Sequence, residues 1–219
     1  ASPTITTQPL ASQEVCIEGI AETLEIAAAT SASSNTITVQ WYANTTGILP
    51  ADPVADEIIG ATANAYTPET ETVGTTYYYA IVQGTTACVT ISNIAQVTVK
   101  LALEATITPN TPQTVCEGEE VTLNVAALNG EGTASYQWYE AQNGAVADAI
   151  NATFTVPTDT AGTKAYYAIV TYDQGPCTTI TTETVSIVVT ETPEIEDGAV
   201  TSYTGAPFTY DPATNTSNT

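Results

Sequence analysis

The chain repeats itself. Residues 66–82 read YTPETETVGTTYYYAIV and residues 154–170 read FTVPTDTAGTKAYYAIV, aligned without a gap at an offset of 88. Other landmarks recur in order around this anchor: Val15-Cys16 and Val115-Cys116, Gln40-Trp41-Tyr42 and Gln137-Trp138-Tyr139, then Cys88 and Cys177. Stacking solenoid units run roughly 20–50 residues, so a repeat this long is a whole domain. Residues 1–101 and 102–190 are the two expected domains, each of ordinary size for independent folding. Residues 191–219 match neither.

Hydrophobic periodicity assigns strands to both copies. Thr36–Tyr42 places Ile37, Val39 and Trp41 on one face. Gln96–Leu101 does the same with Val97, Val99 and Leu101, and Thr184–Val189 with Val185, Ile187 and Val189. Leu24, Ile26 and Ala28 share a face, matched in the second copy by Val121, Leu123 and Val125. This period of two is the signature of half-buried strands. The Ala-rich stretch 21–32 tempts a helical reading, but β-type residues at Val121–Leu128 occupy the same slot. Tyr77–Val82 is apolar on both faces, as expected of a strand covered on both sides. Asn129-Gly130 and Asn143-Gly144 are turn signals, and Gly74 and Gly162 precede the equivalent Tyr78 and Tyr166 by four residues. About seven short strands per copy argue for an all-β, antiparallel two-sheet sandwich, with Trp41, Trp138, Tyr78 and Tyr166 in the cores. The junction 100–107, KLALEATI, holds no Gly, Pro or Ser and predicts a stiff, rod-like connection.

Charge narrows the partners. Twenty-four acidic residues face two basic ones, Lys100 and Lys164, for a net charge of −22. Such a surface repels nucleic acid and anionic lipid, which need Lys and Arg to neutralise them. Neither nucleic-acid binding nor direct membrane insertion is expected, and no stretch approaches the ~20 apolar residues of a membrane span. The acidity reads as a solvated surface. Ca²⁺ binding is the alternative, weakened by the lack of a DxDxDG loop. No other cofactor is expected. The chain opens directly in domain-like sequence and reads as a piece of a longer exported polypeptide.

Four cysteines allow three pairings. Cys16–Cys88 with Cys116–Cys177 is the expected one, because it repeats with the domain and closes one loop in each copy. Maturation would then occur in an oxidising compartment. Four buried free thiols are the alternative; a zinc site is disfavoured by the absence of His and of CxxC spacing.

The order Val15-Cys16-x-x-Gly19, Gln40-Trp41-Tyr42, Ile59-Gly60-Ala61-Thr62, Tyr66-Thr67-Pro68, Val73-Gly74-Thr75-Thr76-Tyr77-Tyr78-Tyr79, Cys88 resembles the immunoglobulin-like repeats of very large surface proteins of gliding and environmental Gram-negative bacteria. The second copy carries it as Val115-Cys116-Glu117-Gly118, Gln137-Trp138-Tyr139, Gly162-Thr163 and Tyr166-Tyr167. The tail, with Gly205-x-x-Phe208-x-Tyr210-x-Pro212, is similar to the opening of a PKD-like module. The resemblance implies tandem immunoglobulin-like sandwiches strung in arrays, exported across the outer membrane and displayed as adhesins or filaments, gliding-motility adhesins among them. Neighbouring repeats of the same chain are the implied partners, with surface, glycan or cell-envelope partners beyond them. The family's repeats carry no catalytic residues. This chain departs from antibody-type domains in its cysteines: Ala80 and Ala168 stand two residues after the corner tyrosines, where an antibody domain has its second cysteine.

No catalytic constellation is visible. Without His there is no Ser-His-Asp or Cys-His arrangement. Glu69/Glu71 and Glu119-Glu120 read as exposed loop charges rather than a glycosidase pair. Lys100 has no counterpart at the end of the second copy and Lys164 aligns with Thr76, which argues against a repeat-specific lysine crosslink. Asp159-Thr160-Ala161 resembles an O-glycan acceptor, with Thr160 as the candidate residue. The leading expectation is a structural and adhesive repeat segment, not an enzyme. The alternative is a carbohydrate-binding accessory stretch of a secreted hydrolase, for which outward-facing Tyr42 and Tyr139 are the candidates.

Overall fold

A computed structural model describes residues 2–30, 36–85, 88–192, 209–211 and 216–218. It contains two hydrophobic cores. One draws on residues from Val15 to Val99 around Trp41, the other on Ile107 to Val189 around Trp138.

In the second copy, the three-stranded sheet orders Glu104–Thr108, Val121–Leu128 and Thr153–Val156, all antiparallel. The facing sheet orders Gln113–Cys116, Val185–Thr190, Gly162–Gln174, Glu131–Glu140 and Gly144–Ala145, with Thr179–Thr181 also on Gly162–Gln174. The first copy repeats this with Ser12–Cys16, Ala95–Lys100, Gly74–Gln83 and Thr38–Asn44, and Val89–Ile91 on Gly74–Gln83. Its facing layer is formed by Thr4–Thr7 with Ala27–Ala29 and by Leu24–Glu25 with Ala65–Tyr66. Each large sheet holds one parallel pair, Ser12–Cys16 on Ala95–Lys100 and Gln113–Cys116 on Val185–Thr190. The other pairings among the described strands are antiparallel, the arrangement of immunoglobulin-like sandwiches.

The inward faces follow the expected alternation. Val121, Leu123 and Val125 are buried, as are Leu24, Ile26, Val97, Val99, Val185, Ile187 and Val189. Leu101 is the exception: the strand stops at Lys100, and Leu101 is 54% exposed. No helix forms in the described part of 21–32. The strand is interrupted at Ile26, whose amide still reaches the Asn64 carbonyl at 2.9 Å, as Val125 reaches Ala152 at 2.8 Å. Gly74 and Gly162 open the long strands with φ of 140° and 144°, a region side chains avoid. Most of the segment assigned to a PKD-like module lies outside the described residues; Thr209–Asp211 and Thr216–Asn218 pair antiparallel.

The Gln-Trp-Tyr motif is a structural unit, each residue with its own task. Trp41 and Trp138 are fully buried, and their indole N–H groups donate to the carbonyls of Ala63 and Asn151, both at 2.9 Å. The Gln40 amide donates to the carbonyls of Trp41 and Ile58, and the Gln137 amide to those of Trp138 and Val146. Tyr42 stacks on Tyr79 and Tyr139 on Tyr167, with ring centroids 5.3 and 5.1 Å apart. Between Trp41 and Ile58 the first copy is nine residues longer, since the offset falls from 97 at Trp41/Trp138 to 88 at Ile58/Val146. The extra loop carries the short helix Pro53–Asp56, and Tyr79 donates from its hydroxyl to Asp56 at 3.2 Å. This loop covers the outer face of the doubly apolar strand at Tyr79. Tyr79 is 1% exposed, and its burial, with the Asp56 carboxylate beside it, pushes the phenol up to about 12.

One feature has no signature in the periodicity. Val89–Ile91 and Ala95–Lys100 are separated by a kink, as are Thr179–Thr181 and Val185–Thr190. At each kink a buried hydroxyl replaces a missing ladder contact. Ser92 Oγ accepts from the Ala80 amide at 2.8 Å, and Thr182 Oγ1 accepts from the Ala168 amide at 3.0 Å. In both copies the kink residue's own amide returns a bond to the same alanine's carbonyl at 2.9 Å. Thr182→Val keeps the shape but strands the Ala168 N–H in a core where Ala168 is fully buried. It is expected to destabilise the second sandwich by about 1–3 kcal/mol, read as a lowered urea midpoint with an unchanged slope.

Candidate functional site: the bridged junction between the repeats

Leu101–Leu103 join the last strand of the first copy to the first strand of the second. Cys16 forms a disulfide with Cys177, Cα–Cα 5.5 Å, across 161 residues of sequence. The bridge therefore ties one copy to the other, and the expected pairings Cys16–Cys88 and Cys116–Cys177 are both replaced. Cys88 and Cys116 are exposed and lie outside it.

The parallel strand pair explains the correction. Cys16 stands opposite Lys100, where the last strand of its sandwich ends. Cys88 stands just before Val89, where that same course begins. At about 3.3 Å per residue the two lie at opposite poles, roughly 30–40 Å apart, and a cystine needs Cα atoms within about 7 Å. Cys116 opposite Thr190 and Cys177 before Thr179 are separated in the same way. Each copy thus carries one cysteine at its trailing pole and one at its leading pole. Only a trailing pole and the next leading pole come together.

The turn that presents the trailing cysteine is built alike in both copies. Gly19 N–H donates to the Cys16 carbonyl at 2.8 Å, and Glu119 N–H to the Cys116 carbonyl at 3.1 Å. The second of the two residues between is left-handed, Glu18 at φ 61° and Gly118 at φ 83°. Buried Thr70 and Thr158, in the loops after Ala65–Tyr66 and Thr153–Val156, fasten these turns, their hydroxyls donating to the carbonyls of Gly19 at 2.6 Å and Glu119 at 2.7 Å.

Polar contacts reinforce the junction. Lys100 sits between Glu14 of its own sandwich at 3.2 Å and Glu131 of the other at 2.9 Å. These carboxylates, Glu131 foremost, hold the ammonium above the usual lysine range. Asn129 donates from its side-chain amide to the Ala102 carbonyl at 2.9 Å. Ala102, Leu103, Pro176 and Thr178–Ile180 line a shallow cleft beside the disulfide. Sequence reading missed this site because Lys100 and Glu131 meet only through the docking of the two copies.

The remaining candidates do not converge. Glu69, Glu71, Glu119 and Glu120 are exposed, and Glu119 accepts from the Cys116 amide at 3.0 Å. Among the described residues no three His, Cys, Asp or Glu side chains are grouped to hold a metal, and no helix is long and apolar enough to cross a membrane. Thr160 is exposed in the loop after Thr153–Val156. Tyr42 and Tyr139 each give one ring face to a cross-strand tyrosine instead of standing in an open row. Burial, then Glu57, raises the Tyr42 phenol above its ordinary value.

Residues 104–190 match the family described as Ig-like domain, CHU_C associated. Together with the sheet topology, this defines the chain's class: tandem immunoglobulin-like β-sandwiches. No curated protein matches it. Similar solved structures include the N-terminal four Ig domains of Dscam1 isoform 7.44, at 15% identity and a TM-score of 0.41, covering 86% of this chain and 46% of that one. Rst D1-D2 is similar at 12% identity and a TM-score of 0.47, covering 88% and 100%. The chain spans about half the length of the Dscam1 structures that it matches.

Proposed function

We propose that the chain is a structural and adhesive segment of a longer exported surface polypeptide, with residues 1–101 and 102–190 as consecutive spacer domains and 191–219 as the beginning of a PKD-like module. The carrying observation is the Cys16–Cys177 bridge across a three-residue connector. A recognition module that swings on a tether has no use for a covalent clasp at its hinge, whereas a load-bearing spacer gains fixed direction from one. The match of residues 104–190 to the CHU_C-associated Ig-like domain family and the strongly acidic composition support display outside the cell. An SprB-type gliding-motility adhesin is the finer form of this reading.

Antibodies raised against the chain are expected to label intact source cells, and surface proteolysis to remove the label. Labelling only after permeabilisation would refute display. Polysaccharide hydrolysis by the purified native polypeptide would instead favour accessory modules of a secreted hydrolase.

A further inference from the structure

We propose that Cys116 is one half of a second inter-domain disulfide, made with a cysteine at the leading pole of another immunoglobulin-like module. The inference rests on the reading of the repeats as units of a longer assembly. Its basis is the equivalence of Cys116 with Cys16. Both close a short strand that runs parallel to the last strand of the sandwich, Cys16 opposite Lys100 and Cys116 opposite Thr190. Both are followed by the same left-handed turn, held by the same buried threonine. In both, the next amide donates to the carbonyl of the last strand residue at 2.9 Å, Ile17 to Lys100 and Glu117 to Thr190. Cys16 in this setting is bridged to the following module through Cys177. Cys116 is offered in the same setting with its side chain exposed.

The matching site on a partner is the position of Cys177, beside the loop that ends the long strand Gly162–Gln174. A module with a cysteine there, docked as the second copy docks on the first, brings its thiol to Cys116. Thr190 occupies the place of Lys100, and its hydroxyl donates to the Val115 carbonyl at 3.1 Å. This second junction therefore lacks the lysine clamp and depends more heavily on the sulfur bond.

Bond formation proceeds by thiol–disulfide exchange with a small-molecule disulfide such as oxidised glutathione. The Cys116 thiol loses its proton, and its sulfur attacks the small disulfide, releasing one thiolate. The partner's sulfur, deprotonated in turn, attacks the mixed disulfide and releases the second. Two protein thiols are oxidised to one cystine. The small disulfide is reduced to two thiols, which take up the two protons.

The test uses the native polypeptide from its source cells. Thiols are trapped with N-ethylmaleimide under denaturing conditions, the protein is cleaved without reduction, and the peptides are identified by mass spectrometry. The expected result is a Cys16–Cys177 peptide pair together with Cys116 joined to a cysteine from another module. An unchanged mass on a non-reducing gel assigns that module to the same polypeptide; a doubled mass assigns it to a second copy. Maleimide on Cys116, or Cys116 paired with Cys88 or Cys177 of its own chain, overturns the proposal. If maleimide-bearing Cys116 occurs in a polypeptide with many repeats, the bridge fails and the array stands. If it occurs in one without further repeats, both fail.

Discussion

Trp138→Ala is expected to destabilise the second sandwich strongly and leave the first intact. Trp138 is fully buried, its ring 5.4 Å from that of Phe154, and Phe154 in turn packs 5.4 Å from Tyr166. Truncation removes the centre of this aromatic stack and opens a cavity between two sheets with little freedom to close. It also leaves the Asn151 carbonyl without its indole donor. Buried Trp→Ala changes cost about 3–5 kcal/mol, against a total of about 5–15 kcal/mol for a domain. Trp41 belongs to the other core, so the loss should not spread through packing. The chain has two tryptophans, one per core, which makes the measurement direct. In the variant, fluorescence comes from Trp41 alone and should keep the urea midpoint of the first sandwich. Far-ultraviolet circular dichroism should show the second sandwich lost at much lower urea. A single transition taking both copies together would mean that the junction fuses them into one cooperative unit. Trp138→Phe should be milder, because most of the ring volume remains.

The repeat, the strand faces and the aromatic core were legible because they are local patterns. Leu123 and Leu24 alternate with polar neighbours, and a tryptophan in a period-two run has few places to go but inward. The doubly apolar Tyr77–Val82 could be read as covered on both sides, while the nature of the second cover, the Asp56-bearing loop, could not. The amides of Gln40 and Gln137 staple the following segment by bonds that depend on loop geometry, which the motif itself does not show. Ser92 and Thr182 carry no signal in the strand periodicity, yet each stands at a kink and repairs it. Leu101 fitted the alternation but fell beyond the strand's end. The cysteine pairing failed for a topological reason. Symmetry between copies suggests closure within each copy, although a pattern that links every unit to the next has the same symmetry. The deciding fact is the parallel pairing of Ser12–Cys16 with Ala95–Lys100, a long-range contact that places Cys16 at the trailing pole.

Cys16→Ser tests that topology, and its expected signature is a free junction between two folded domains. A cystine inside a sandwich would, when removed, lower that domain's stability by about 2–5 kcal/mol, or roughly 10–40 °C in melting temperature. The Cys16–Cys177 bond crosses neither core. With both sandwiches folded, the ring it closes is short, because Cys16 lies beside Lys100 and Leu101–Leu103 lead straight to the second copy. In the native state its constraint acts on docking. Each sandwich should stay folded in the variant, and any fall in its melting temperature should come with a freed junction, because an unfolded sandwich is also held in a loop by the bridge. The docked arrangement should lose about 2–4 kcal/mol, a shift of roughly 30- to 700-fold in the ratio of docked to undocked forms. The Lys100–Glu131 pair is left to hold the interface, and it is exposed enough to be weakened by salt. Spin labels placed one on each sandwich should give a narrow distance distribution in the parent and a broad one in the variant, broader still at high ionic strength. Cys177, 7% exposed in the bridged form, should become reactive to maleimide as the junction opens. Melting of either sandwich lowered by more than 10 °C, with the distance distribution still narrow, would place the cystine's contribution inside a domain and not at the junction.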